Sequence, residues 1–270
     1  MTDCRIVTLY SGSDGNATYI CAAGTSILID AGRSARALCR ALTEIGTDIG
    51  EIRAIFITHE HTDHISALEV LAKKHNIPIH IMTKSAEKLD RLGPCPLCDH
   101  LVRHDAMFCE QVGNLRISSF RTPHDSRMSV GYRITFWDES GAKHTLGYAT
   151  DIGYVSDAVR EGLCGCEAVV LESNHDVDML MDGPYPYDLK LRIRSNRGHL
   201  SNADSAALAS DLAREGTRAF VLAHVSRENN DQALVLDEAL SAISDPLVTV
   251  AVAAPDEPTE LLWEKEKSAW

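Results

Sequence analysis

From Ile55 to His64 an apolar strand runs straight into a dense group of metal-competent side chains: Ile55-Phe56-Ile57-Thr58-His59-Glu60-His61-Thr62-Asp63-His64. In an extended segment residues i and i+2 point the same way, so His59 and His61 can grip one ion. Asp63 and His64 follow where the chain turns into the next helix, and they can face a second ion beside the first. A solvated loop that merely happens to be rich in His is the bland alternative. The density and order of these residues argue against it.

Around this segment short apolar runs alternate with helix-like stretches, with no repeat, low-complexity tract or flexible linker. Strands are predicted at Arg5–Leu9, Thr18–Cys21, Ser26–Ile29, Ala54–Ile57, Ile77–Met82, Leu115–Phe120, Gly131–Trp137, His144–Ala149, Ala168–Leu171 and Ala219–Ala223. Asp138-Glu139-Ser140-Gly141 reads as a hairpin turn between two of them. Ser34 can cap a helix whose Ala35, Leu38, Leu42 and Ile45 follow the 3.6-residue period, closed by Gly46. Asn202 can cap another that carries Leu208 and Leu212 inward and ends at Gly216. A third should begin near His64 and bury Leu68, Leu71 and Ala72. The pattern predicts two packed sheets with helices outside, as one domain over 1–270. At 270 residues the chain is long enough to bury such a core. The acidic tail from about 255 to 270 should dock as a short helix or stay mobile.

The segment His59-x-His61-x-Asp63-His64 after a buried strand resembles the signature of the metallo-β-lactamase-fold hydrolases. Other parts of the chain match that family in order. Asp30, closing Ile27-Leu28-Ile29, looks like its first motif, an acid that braces the metal loop. His124, after Phe120-Arg121-Thr122-Pro123, looks like the third. Asp151 looks like the fourth, a carboxylate shared by two ions, and His224 like the fifth. Singly, each has another reading: His124 or Asp151 could cap a turn, and His224 could be a core histidine. The resemblance implies an α/β fold, a four-layer αββα sandwich. It also implies two divalent ions (Zn, Mn or Fe) per chain. One would sit on His59, His61 and His124 and the other on Asp63, His64 and His224, with Asp151 shared and a bridging hydroxide as nucleophile.

Paired ions suit phosphodiesters, though the same fold cuts other esters and amides. Two further segments, Leu171-Glu172-Ser173-Asn174-His175-Asp176 and Gly198-His199-Leu200-Ser201-Asn202, resemble places where nucleases such as tRNase Z carry a Glu and His pair. A carboxylate beside an imidazole fixes its tautomer, as a general acid requires. His199 is thus expected to be the acid and Glu172 its partner, with Asp63 counted among the catalytic residues as well as the ligands. Asn174 and His175 could contact phosphate or merely close the loop. These segments, with Tyr185-Pro186-Tyr187-Asp188-Leu189-Lys190 and His224-Val225-Ser226-Arg227-Glu228-Asn229-Asn230, resemble the YycJ/WalJ-type branch of bacterial proteins. That branch implies a metal-dependent nuclease, with 5′-to-3′ degradation of double-stranded DNA favoured.

Substrate contacts are expected from two places. Ser11, Ser13 and Asn16 lie in a run of small residues that could form a phosphate nest or an ordinary tight turn. Lys190, Arg194 and Arg197, with Arg192 between them, form a cationic run before His199, as a strand or a short helix. Ser201 and Asn202 adjoin the acid. The formal charge of −13 excludes wholesale phosphate binding by surface charge, so any nucleic-acid contact must be local. No apolar run approaches the roughly 18 residues of a membrane span, and no basic-then-apolar leader opens the chain. The expected compartment is the cytoplasm, with no membrane partner. The eight Cys are then thiols or metal ligands rather than a disulfide framework. Cys95, Cys98, Cys164 and Cys166 have spacing that could hold zinc, with free thiols the preferred expectation. The rivals are a tRNase Z-like RNA-processing nuclease, a phosphodiesterase of small cyclic nucleotides, and a metal-binding regulatory partner without turnover.

Overall fold

The computed structural model describes residues 4–90 and 98–261. The first sheet takes its strands mostly from the N-terminal half: β1 (Cys4–Tyr10), β2 (Ala17–Ala22), β3 (Thr25–Ile29), β4 (Ile52–Phe56), β5 (Ile79–Met82) and β6 (Leu101–His104). The second holds β7 (Cys109–Val112), β8 (Leu115–Arg121), β9 (Val130–Trp137), β10 (Lys143–Ala149), β11 (Ala168–Glu172), β12 (Ala219–Ala223) and β13 (Thr249–Val252). A last strand, β14 (Thr259–Leu261), returns to the first sheet and pairs antiparallel with β1. Each sheet therefore has seven strands, ordered β14-β1-β2-β3-β4-β5-β6 and β13-β12-β11-β10-β9-β8-β7. Strands β3 to β6 run parallel to one another, as do β10 to β13, while β2 and β9 join them antiparallel.

Alternation along the strands sets the layers. Ile27 and Ile29 of β3 join Phe56, Tyr132, Ile134, Val170 and Val221 in the apolar layer between the sheets. Leu28, between those two isoleucines, points the other way. It packs with Leu38 and Leu42 of α1 (Ala35–Glu44) and with Leu68 and Leu71 beyond α2 (Thr62–Ile65), in α3 (Leu68–His75). The helix α4 (Thr83–Asp90) follows β5. Across the molecule, Val169, Leu171, Phe220 and Leu222 meet helices on the outer face of the second sheet. These are α5 (Asp157–Leu163), α8 (Asn202–Arg214) and α9 (Gln232–Ala242), and α6 (Val177–Asp182) and α7 (Tyr187–Ile193) precede α8. Three apolar layers separate four layers of structure, so the fold is the αββα sandwich.

The predicted strands and the Asp138–Gly141 turn are present, the latter held by Asp138 accepting from Ser140 and Ala142. Ser34 caps α1 as expected. Two expectations need correction and one alternative is resolved. Ser201, not Asn202, caps α8, because its hydroxyl accepts from the Asp204 amide. Of the two forms open to the cationic run, the helix is found: Lys190 and Arg192 lie in α7, with Pro186 as the residue before it and Arg194 as the residue that ends it. In the tail, Thr259–Leu261 is a strand rather than a helix, and residues 262–270 lie outside the described part. Cys95 also lies outside it. Cys164 is exposed and Cys166 buried, and both are free thiols. Among the described residues no helix is long and apolar enough to cross a membrane.

Candidate active site

The chemistry-bearing side chains gather where strands end. Asp30 follows β3, His59 follows β4, His124 follows β8, Asp151 follows β10, Glu172 closes β11 and His224 follows β12. Ligand sites of open α/β sheets gather at the carboxyl ends of parallel strands in this way. Asp30, Asp151 and His224 have left-handed backbone, with φ of 61°, 57° and 57°. Such a conformation costs roughly 1–3 kcal/mol per residue, and here it swings each side chain into one pocket. Close approach of the chain matters as well: a Cβ on Gly32 would lie 1.6 Å from the Asp63 carbonyl oxygen, so only glycine lets the loop after Asp30 lie against the metal loop.

Four of the imidazoles are held through Nδ1. His64 donates to Asp30 Oδ2 at 2.8 Å. The Thr58 hydroxyl donates to Asp30, so its oxygen accepts from His59 Nδ1 at 3.0 Å. His124 donates to the Gly198 carbonyl at 3.0 Å, and His224 Nδ1 lies 3.3 Å from Glu172 Oε1. Their Nε2 atoms lie on the pocket side, that of His64 beside Asn16 Nδ2 at 3.1 Å. Those of His59, His124 and His224, and Oδ2 of Asp151, are buried with no hydrogen-bond partner. Orphaned atoms of this kind are costly unless a cation satisfies them.

They fall into two overlapping groups. His59, His61 and His124 converge, as do Asp63, His64 and His224. Asp151 lies between, its oxygens 3.6 Å from His124 Nε2, 3.5 Å from His64 Nε2 and 3.6 Å from His224 Nε2. Ligands about 2.0–2.1 Å from a common ion stand about 3 to 3.5 Å from one another, so this donor set fits divalent metal. Burial, aided by neighbouring imidazoles, lowers His59, His61 and His124 and keeps them neutral, the form that binds metal. Burial opposes charge at Asp63 and Asp151, yet the facing His64 and His224 hold both carboxyls well below their usual range.

Beside this pocket, His199 donates from Nδ1 to Glu172 Oε1 at 2.8 Å, and its ring stacks on His224 with centroids 5.0 Å apart. Glu172 is fully buried, and Oε2 accepts from the amides of Ile152 at 2.7 Å and Leu200 at 3.1 Å. Burial alone would raise its carboxyl, but His199 outweighs that and holds it at about 2. His199 opens onto a cleft of about 250 Å³ whose lining includes Ser13, Asn174, Tyr185, Leu189, Ile193 and Ser226. The last four were not expected from the sequence. Tyr185, Leu189 and Ser226 did lie in segments that carried the family resemblance, which was their only signal.

Several expected substrate contacts have other work. Lys190 is buried, and its ammonium donates to the carbonyls of Met181 and Gly183 at 2.6 and 2.7 Å, bracing the end of α6. Ser11 Oγ accepts from the His224 amide at 2.7 Å, and Asn16 donates to Gly12 O and Asp63 Oδ2 at 3.0 and 3.2 Å. The small-residue run is a tight turn whose Gly12, Gly15 and Asn16 amides are already bonded, not an open nest. Ser201 caps α8, and Asn202 is buried in a network with Ser173 and Asn230. His175 is buried, and that burial lowers it to about 4. Ser13 and Asn174 do line the cleft, although Asn174 also donates to the His224 carbonyl at 2.8 Å. Arg194 is exposed, and Arg197 reaches the His124 carbonyl at 3.4 Å.

Residues 25–225 match the model of the β-lactamase superfamily domain. The chain is 35% identical over 223 residues to exodeoxyribonuclease YycJ of Bacillus anthracis, covering 82% of each. It is 34% identical over 224 residues to exodeoxyribonuclease WalJ of Streptococcus pneumoniae, covering 82% of this chain and 81% of that one. The metallo-β-lactamase-fold protein YhfI of Bacillus subtilis superposes with a TM-score of 0.70 at 16% identity, over 96% of this chain and 100% of that one. Sequence motifs, layer order and pocket agree with these likenesses, and the chain belongs to the metallo-β-lactamase-fold hydrolases, in the branch of YycJ and WalJ.

Proposed function

We propose that this hydrolase is a nuclease that removes nucleotides from the 5′ end of double-stranded DNA. The observation that carries the proposal is the His199–Glu172 pair, bonded at 2.8 Å, with His199 Nδ1 also 3.7 Å from Asp151 Oδ1 and the ring opening onto the cleft. The names of the YycJ and WalJ relatives support DNA as the polymer. His59, His61 and His124 would hold one divalent ion, and Asp63, His64 and His224 the other, with Asp151 between them. Bound there, such ions supply Lewis acidity toward phosphoryl oxygens and lower the pKa of water.

The chain's own groups do the rest. Glu172 commits Nδ1 of His199, so the proton available to a leaving oxygen sits on Nε2. Ser13, Asn174 and Ser226 offer polar contacts to phosphate and sugar, while Tyr185, Leu189 and Ile193 give an apolar wall. Arg194, exposed where α7 ends, offers a cation for backbone contacts, which position the polymer without reading its bases.

The test is cleavage of end-labelled duplex DNA by metal-loaded protein, in Mn²⁺ and in Zn²⁺, with Asp151→Ala as control. Stepwise loss from the 5′ end, absent in the control, is expected. Intact DNA with fully metallated protein would overturn DNA as substrate and turn attention to precursor tRNA and cyclic phosphodiesters.

A further inference from the structure

Asp125 follows His124 directly, and its two carboxylate oxygens have separate surroundings. Oδ2 receives both Nε and Nη2 of Arg192, at 2.6 and 2.5 Å. Oδ1 is turned the other way. It lies 3.4 Å from His124 Nε2 and 3.7 Å from His61 Nε2, buried and without any hydrogen-bond partner. Those two imidazoles, with His59, form one of the convergent groups, and His124 Nε2 is itself an orphan. A buried carboxylate oxygen with no donor is costly unless a cation meets it. Its 3.4 Å from His124 Nε2 falls in the range between ligands of a common ion, and His61 Nε2 stands just beyond it at 3.7 Å.

We propose that Asp125 is a further ligand to the ion on His59, His61 and His124, and that Arg192 is the positioning residue that aims it. The proposal rests on the metal assignment made above and adds a donor to it. Arg192 holds Oδ2 through two nitrogens of its planar guanidinium, which fixes the carboxylate's rotation and presents Oδ1 inward. Because Arg192 sits on α7, among the residues of the cleft, the wall that receives substrate also orients a ligand. Arg192 is then spent on Asp125 rather than on a phosphate.

The experiment is Co²⁺ loading of wild type, Asp125→Asn, Arg192→Ala and Arg192→Lys, with chelator competition and the visible ligand-field bands as readouts independent of turnover. Wild type should take up two ions. Asp125→Asn should keep one at wild-type affinity and bind the other about 100-fold more weakly, with bands that strengthen as the coordination number falls. Arg192→Ala, which leaves every imidazole in place, should weaken the same ion by about tenfold. Arg192→Lys should restore little, since an ammonium cannot supply the planar fork. Two ions bound by Asp125→Asn with wild-type affinity and spectrum would overturn the proposal and leave the metal assignment standing. A wild type that takes up no ion would overturn both.

Discussion

Histidines pair or cluster in two parts of this molecule, and their surroundings separate them. Around Asp151 the rings of His64, His124, His199 and His224 stand within 3.7 Å of the carboxylate, and buried Nε2 atoms are left unpartnered. On β5 and β6, His80 Nδ1 instead faces His104 Nε2 at 3.1 Å, and both rings stack among Phe56 and Phe108. Neither ring leaves a buried nitrogen without a partner. The nearest carboxylate, Glu110, lies 3.9 Å from His104 and is partly exposed. The first arrangement spends backbone strain and burial to keep donors open. The second joins its rings through one N–H···N contact and, with Glu110, also brings donor atoms close enough to meet an ion, yet it leaves no buried nitrogen orphaned. Orphaned nitrogens, rather than histidine number, distinguish the two arrangements.

The contrast can be broken from either side. Asp151→Ala should have the largest effect, loss of metal together with at least about a 10³-fold fall in hydrolysis, checked by elemental analysis and single-turnover assay. His199→Ala should retain metal yet lower turnover by about 10²- to 10⁴-fold. Unchanged cleavage by this variant would remove His199 as the acid. Asn16→Ala removes the side chain that steadies Asp63, and should weaken metal affinity by about tenfold in chelator titrations.

His80→Phe should change least, leaving metal content and turnover at wild-type values. Its signature lies in stability against pH. Burial and the neighbouring His104 push His80 down to about 4, so the unfolded chain takes up a proton that the folded one refuses. That contribution is intact above the ordinary pKa of about 6.5 and is lost as pH falls from there toward about 4. His80→Phe should therefore flatten the melting temperature across that window.

Much of the candidate pocket was legible because its parts are local: each of its His and Asp side chains follows an apolar strand or lies in one short segment after β4. The edges of the sheets were less so. Residues 101–104 and 109–112 mix charged and apolar residues over four positions each, too short for alternation to stand out. The substrate contacts failed for a different reason. A lysine or serine near a site in sequence does not declare its partner, and Lys190 and Ser11 found theirs in carbonyls and amides brought in by tertiary packing. Asn202 lost its capping role to Ser201 by one residue, a margin that local pattern does not resolve.

The left-handed backbone at Asp151 and His224 sets heat tolerance against catalysis. Glycine would relax both positions at no steric cost, so selection for a higher melting temperature alone would drift toward glycine there and strip the pocket of its ligands. A more heat-resistant enzyme of this design has to gain its stability elsewhere, in α1, α5 and α9, which carry none of the pocket's side chains.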